Sequence, residues 1–428
     1  MARKMKDSGI EWIGEIPEGW EVVKAKYLFA QRNEKGNSAL VLLSPTQKYG
    51  VIPQSQLEGV VQVKENTDLR GFKTIHIGDF VISLRSFQGG FEFSNYEGVC
   101  SPAYQVFHAT KDLSNDFFRY LFKSDGFISK INSLTVGIRE GKNIQYWDFS
   151  NMLLAVPPKE IQIRSAQYLN AKCTEIDTML SKTRSSIEEY KKLKQAVITQ
   201  AVTKGVHDER ETKGSGVEWI GEIPKEWAVS PMKHFIDILP GYAFSSDDFC
   251  IEEGIPLLRG INVGVNEIRW DETVRWNHSI SKQLESFFLK ENDLVVGLDR
   301  PWISDGTRVA FIAKKDLPCL LLQRVCRIRT RCNFDIRWIY YWLSGSSFKD
   351  SLSTETTGIS VPHISTKQIE QFIVAFPNQL EQTQICNYLD AKCAEIDGLI
   401  AKKEQLVKEL ENYKKSLIYE VVTGKREV

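Results

Sequence analysis

The chain has 428 residues and a mass of 48.9 kDa, enough for two to four domains at roughly 100–200 residues each. Hydrophobic residues make up 42% and charged residues 26%, so packed cores rather than disorder are expected. Its 55 basic and 55 acidic residues cancel; this excludes a uniformly basic nucleic-acid coat but not a local basic face.

No apolar run approaches the ~20 residues of a membrane span, and the N-terminus lacks the apolar core of a secretory signal. The eight Cys contain no C-x-x-C pair and the six His no close pair. These features point to a cytosolic protein with reduced thiols, no disulfide framework and no zinc site.

Residues 7–22, DSGIEWIGEIPEGWEV, open the chain with a motif that returns as GSGVEWIGEIPKEWAV at 214–229. Eleven of the 16 positions are identical, among them Trp12/Trp219, Pro17/Pro224 and Trp20/Trp227. A second pair, YLNAKCTEID at 168–177 and YLDAKCAEID at 388–397, matches at eight of ten positions. The offsets are 207 and 220, so the segment between the motifs is 13 residues longer in the second half. The chain is a tandem duplication. It divides into a tag at 1–20, a variable segment at 21–159 and a long helix at 160–205. A linker and repeated tag at 206–227, a second variable segment at 228–379 and a second long helix at 380–428 follow.

The variable segments carry short β-like runs, Phe80-Val-Ile-Ser-Leu and Tyr104-Gln-Val-Phe in the first, Leu294-Val-Val-Gly-Leu and Val309-Ala-Phe-Ile-Ala in the second. Each has a short aromatic helix, from Asp116 and from Ile336, and closes on an apolar run ending in proline, LLAVPP and FIVAFP. The stretches after Tyr168 and Tyr388 show a heptad seam without proline. Its members are Leu169, Cys173, Ile176, Leu180 and Ile187 in one helix, and Leu389, Cys393, Ile396, Ile400 and Val407 in the other. Thr183 and Lys403 interrupt its middle. At ~1.5 Å per residue, about 35 residues after each tyrosine make a helix ~50 Å long. Two equivalent seams in one chain are expected to pack on each other or to share a partner.

Catalytic motifs are missing. There is no G-x-x-x-x-G-K-[ST] phosphate loop, no G-x-G-x-x-G fingerprint and no G-x-S-x-G elbow. Phe87-Gln-Gly-Gly-Phe reads as a turn. Pro157-Pro158 lacks the preceding Asp or Asn and the following aromatic of an amino-methyltransferase site. Glu140-Gly141-Lys142 has the form of a nuclease E-x-K but no accompanying Pro-Asp element. Cys319, Cys326 and Cys332 lack metal spacing and read as core thiols.

For binding, several loops combine basic, amide and aromatic side chains, the types that read base edges. They supply Gln47, Lys48 and Tyr49; Arg85, Ser86 and Gln88; and Arg139, Lys142 and Asn143 in the first segment. In the second they supply Tyr242, Arg259, Asn262, Arg300, Trp302 and His363. In QRVCRIRTR (323–331), Arg327, Arg329 and Arg331 share one face of a strand. They read equally as phosphate contacts or as a solvated face or internal ion-pair ladder. The segments hold 16 basic and 13 acidic, and 17 basic and 18 acidic, residues; this argues against a tight stand-alone DNA binder. A protein adaptor without DNA readout, and an enzyme with duplicated recognition domains, are the competing readings.

The doubled S-G-[IV]-E-W-I-G-E-I-P-x-x-W tag and the doubled Y-L-[ND]-A-K-C-x-E-I-D helix resemble the specificity subunit of type I restriction–modification systems over essentially the whole chain. The resemblance implies an α+β protein with pseudo-twofold symmetry: two mixed α/β target recognition domains joined by two long antiparallel coiled-coil-like helices. Each domain would read one half of a split double-stranded DNA site. The helices would set the spacer and dock two modification (methyltransferase) subunits. The resemblance further implies a chain without catalysis or cofactor of its own. S-adenosylmethionine, ATP and magnesium would belong to the methyltransferase and restriction subunits.

Overall fold

The computed structural model describes residues 3–35, 40–57, 69–84, 86–134, 144–207, 210–303, 306–331, 334–352 and 363–428. Arg85, Arg139, Lys142, Asn143 and the Glu140-Gly141-Lys142 triplet lie outside them, as does Cys332. Contacts divide the chain into two units, Met1–Arg184 with Gln405–Val428, and Ser185–Glu404. Both divisions fall inside a long helix, so each unit takes part of each one.

In the first unit the tag folds as a hairpin, Met5–Asp7 against Glu15–Pro17. Gly9 and Gly14 take the left-handed backbone its turn demands. Trp20 is buried and meets Phe117 edge-on at 6.4 Å. The strand Glu21–Lys24 then pairs with Leu153–Val156, so the variable segment starts and ends on one antiparallel ladder. Between them lies a four-stranded sheet in the order Phe29–Arg32, Gln105–Ala109, Phe80–Ile82, Glu92–Phe93. Its apolar face buries a cluster of phenylalanines, with Phe29 against Phe118 at 5.2 Å and Phe107 against Phe149 at 4.8 Å.

The second unit repeats this plan. Thr212–Gly214 pairs with Glu222–Pro224, and Ala228–Pro231 with Ile373–Phe376. The four-stranded sheet runs Ile236–Pro240, Val325–Thr330, Leu294–Gly297, Val309–Phe311, the same order of equivalent strands as in the first unit. A further four-stranded sheet (Phe249–Cys250, Arg275–Trp276, Ile255–Leu258, Leu320–Leu321) stands beside it. The aromatic helix Ile336–Ser344 buries Trp338 and Trp342, and Trp338 packs edge-on against Trp227 at 5.6 Å.

The long helices run Lys159–Lys204 and Gln379–Val422, 46 and 44 residues, or about 69 and 66 Å at 1.5 Å per residue. The ~50 Å counts only the part after each repeated tyrosine; each helix begins just past a proline, about ten residues earlier. The start is fixed alike in both. Gln162 Nε2 donates to the Pro157 carbonyl at 2.8 Å, and its Oε1 accepts from the Ser114 N–H at 2.9 Å. Gln382 Nε2 donates to the Pro377 carbonyl at 2.9 Å, and its Oε1 accepts from the Asp335 N–H at 3.4 Å. Each glutamine thereby ties the helix to the residue preceding the aromatic helix of its own domain.

In the first unit Leu169, Cys173, Ile176 and Leu180 are buried with Leu417, Val421 and Val422, and Val407 packs half-buried against them. Leu389 and Cys393 join Ile198, Ala201 and Val202 in the second core. Ile187 and Ile396 are buried and Ile400 is half-buried. Within each unit the two helix segments run antiparallel, with Asp177 opposite Lys414 in the first and Lys194 opposite Asp397 in the second. Lys403, the cation in the seam, lies over the Tyr190 ring at 5.6 Å, which satisfies a charge that an aliphatic neighbour would leave bare. Thr183 donates to the Met179 carbonyl, one turn back. Burial pushes the thiols of Cys173 and Cys393 up, the latter to about 11.

Among the described residues all seven cysteines are free, no His, Cys, Asp and Glu group is arranged to hold a metal ion, and no helix is long and apolar enough to cross a membrane.

Candidate nucleic-acid interface

Both sheets are anchored at the same place. Asp79 and Asp293 sit in the turn before the central strand, nearly inaccessible, and each caps that turn, accepting from the His76 N–H (2.9 Å) or the Lys290 N–H (2.7 Å). A buried carboxylate requires a cation, and each finds an arginine. Arg32 donates from Nε (2.7 Å) and Nη2 (3.1 Å) to Asp79; Arg329 donates from Nε (2.5 Å) and Nη2 (2.8 Å) to Asp293. The first comes from an edge strand, the second from the strand beside the central one.

This decides the reading of the arginine strand. Arg329 is committed to Asp293, whose hydrogen bond raises its pKa. Arg327 is buried and donates to Asp237 at 3.0 Å; burial and then the Arg329 charge lower its pKa. The two form an internal ion-pair ladder, one of the readings their alternation left open. Only Arg331 of the three is exposed.

Three further expected readers are also structural. Asn262 is buried and closes a turn, its Oδ1 accepting from the Arg259 N–H and its Nδ2 donating to the Arg269 carbonyl. Ser86 is buried, and its Oγ accepts from the Ser83 N–H at 2.8 Å. The half-buried Tyr242 ring packs on Phe244 (4.9 Å) and Phe287 (5.3 Å) against a satellite core.

The rest of the described candidates collect at one end of each central strand. In the first unit Gln47, Lys48 and Tyr49 are exposed on the turn between the strands Leu43–Thr46 and Gly50–Pro53. Lys48 lies over the Tyr49 ring at 4.9 Å. Gln47 Nε2 donates to Oε1 of exposed Gln88 at 3.3 Å, which brings that turn to the short helix Ser86–Gly89. The helix is held from below: Lys123 Nζ donates to the Gly89 carbonyl (2.8 Å) and to Glu92 (2.7 Å). At Gly90, with φ +76°, a Cβ would fall 1.9 Å from the Phe122 carbonyl, so only glycine fits. Burial pushes the Glu92 carboxyl up to about 7, against the pull of Lys123.

In the second unit Arg300 is exposed beyond the central strand, with Trp302 half-buried beside it against Phe348 at 6.2 Å. Asp299 accepts from His363 Nδ1 (2.6 Å) and from Arg324 Nη1 (3.4 Å). Arg259 Nη2 donates to the Glu272 carbonyl, while its buried Nε has no partner among the described residues. Arg300 and Arg324 have positive φ, +45° and +70°, a conformation that costs arginine about 1 kcal/mol or more and concentrates at functional sites.

The sequence reading missed Arg308, Arg324 and Arg269, which join this cluster. Arg308 Nε donates to the Val263 carbonyl (2.8 Å), Nη1 to the Asp299 carbonyl (3.2 Å) and Nη2 to the Gly260 carbonyl. Burial and then the charges of Arg269 and Arg300 lower its pKa. No local motif marks these residues, since their partners lie up to 48 positions away. One signal was available: Arg85 and Arg300 each stand three residues past the central strand.

Fold and site define a duplicated α+β scaffold in which two versions of one recognition domain ride on paired helices. Residues 224–409 match the family described as the type I restriction modification DNA specificity domain. Over 420 residues the chain is 26% identical to the type I restriction enzyme MjaVIII specificity subunit of Methanocaldococcus jannaschii, covering 96% of this chain and 93% of that one. A stretch of 191 residues is 35% identical to the EcoAI specificity subunit of Escherichia coli, 43% of this chain and 32% of that one. The fold is similar to a chain solved for the complex assembly and conformational transition of the type I R-M system, with TM-score 0.71, 15% identity and coverage of 96% and 99%. Over nearly its whole length the chain is similar to a specificity subunit of a type I restriction enzyme.

Proposed function

We propose that each unit reads one half of a bipartite double-stranded DNA target, and that the paired long helices set the spacer and dock two methyltransferase subunits. One observation carries this reading. The same sheet, in the same strand order and anchored by an equivalent buried aspartate, presents different exposed polar side chains at the same end: Gln47, Lys48 and Gln88 in one unit, and Arg300 and Arg324, beside half-buried Arg259, in the other. A duplicated scaffold with diverged tips suits two unlike half-sites, since amide side chains pair with adenine and arginine with guanine.

The segments fall into six parts by this account, with recognition domains at 21–159 and 228–379. The chain is the non-catalytic recognition component, acting in the cytoplasm. S-adenosylmethionine would sit on the methyltransferase subunits, and ATP and magnesium on the restriction subunits. The near-neutral charge fits a reader whose partners supply much of the phosphate contact.

Single-molecule methylome sequencing of cells expressing the methyltransferase, with and without this chain, tests the proposal. Loss of one split adenine-methylated motif on deletion supports it. An unchanged methylome with the partner present favours an adaptor without DNA readout.

A further inference from the structure

The turn Gly260–Asn262 lifts one apolar side chain out of the arginine cluster of the second unit. Ile261 is 53% exposed, between buried Asn262 and half-buried Arg259 and Gly260. An exposed isoleucine on a loose loop means little, but this turn is fixed from several sides. Asn262 bonds across it in both directions. The Arg269 N–H donates to the Asn262 carbonyl at 2.8 Å. The Arg308 fork holds the carbonyls on either side, Gly260 and Val263, and ties them to Asp299, next to Arg300. A β-branched side chain has little rotamer freedom, so the methyl groups of Ile261 are presented in one place.

A rigid apolar tip, in a turn that follows Arg259 and is braced by Arg308, matches a surface with an apolar point between phosphates. On the edge of a DNA base pair that point is the C5-methyl group of thymine, in the major groove. We propose that Ile261 is a specificity-determining residue that contacts a thymine methyl in the half-site read by the second unit, with Arg308 as the positioning residue of its turn. The inference rests on the half-site reading above.

The test uses the full chain assembled with its methyltransferase subunits and a duplex carrying the methylome-defined site. Thymines of both half-sites are replaced one at a time by deoxyuridine, which removes only the methyl group. For the wild type, one such replacement weakens binding about fourfold, the worth of a buried methyl. In Ile261→Ala that same replacement has no effect. In Arg308→Lys, which keeps the charge and loses the fork, the deoxyuridine effect also disappears, while the other half-site is read as stringently as before.

No deoxyuridine effect at any position, or one that survives in Ile261→Ala, overturns the contact. An effect undiminished in Arg308→Lys overturns the positioning role. An increase in 2-aminopurine fluorescence on binding, with no deoxyuridine effect, makes Ile261 a wedge between base steps and equally overturns the proposal. If the complex shows no preference for the site over unrelated DNA, the half-site reading itself has failed, a result visible before any variant is made.

Discussion

Lys414 donates to both carboxylate oxygens of Asp177, at 2.7 Å each. In the other unit Lys194 does the same to Asp397, also at 2.7 Å. The offset of 220 that relates the repeated helices turns each pair into the other. Antiparallel packing of two copies of one helix gives this reciprocity: what one copy contributes at one level, the other contributes at the equivalent level.

Each pair is half-exposed, so its worth is modest, about 0.5–1 kcal/mol. Asp177→Lys lowers thermal stability by roughly that amount or a little more, and the loss shrinks in high salt. Asp177→Lys combined with Lys414→Asp recovers it. A double-mutant cycle by thermal unfolding reads the coupling, and a cycle with no coupling at low salt would contradict the pairing.

Gln162 and Gln382 set where the long helices begin. Either change to Ala strips a buried carbonyl and a half-buried N–H of their partner and costs about 1–3 kcal/mol. Hydrogen exchange resolves the two. Gln162→Ala speeds exchange at Ser114 and leaves Asp335 protected, and Gln382→Ala does the reverse. Equal effects at both sites in either variant would show that the glutamines do not act within their own domain.

Stability near neutral pH carries the mark of Glu92. Its carboxyl is raised from 4.5 to about 7, first by burial. Between these values the folded chain holds a proton that the unfolded chain has lost, so the contribution is full below about pH 4.5 and falls as pH rises to about 7. At about 1.4 kcal/mol per pH unit across that window, the change is on the order of 3 kcal/mol. Glu92→Gln flattens this part of the pH–stability curve. A wild-type curve already flat from pH 4.5 to 7 would contradict the burial of the charge.

Arg329 and Arg300 separate scaffold from reader. Arg329→Met leaves the buried Asp293 carboxylate unpaired and costs about 3 kcal/mol or more, with the methylated sequence unchanged. Arg300→Ala leaves the folding stability within about 0.5 kcal/mol and relaxes one base of one half-site by about 1–3 kcal/mol. Differential scanning calorimetry and methylome sequencing of the two variants must give opposite patterns.

Much of this was legible in the sequence because it is local or repeated. The repeated tags, the closing apolar runs at Leu153 and Ile373 and the seam at Leu169 and Leu389 follow from periodicity and duplication. What fixes the helix starts was not legible, because Gln162 and Gln382 reach into another element. The arginine strand was ambiguous for the same reason: the alternation of Arg327 and Arg329 gives a face, but Asp237 and Asp293, which decide what that face does, are 90 and 36 positions away. Asn262 and Ser86 look like readers by type and are turn closures by burial. Arg308 has no motif at all, since its role is to gather three carbonyls from separate segments.

The central claim is that each unit reads one half-site while the helices hold the spacer. Its most direct test inserts one heptad into each long helix, between Arg184 and Ser185 and between Glu404 and Gln405, so that the seam stays in phase. Seven residues add about 10 Å, close to three base pairs. Methylome sequencing should then recover both half-sites unchanged, with the unread spacer about three base pairs longer. Altered half-site sequences with the original spacer would contradict the account.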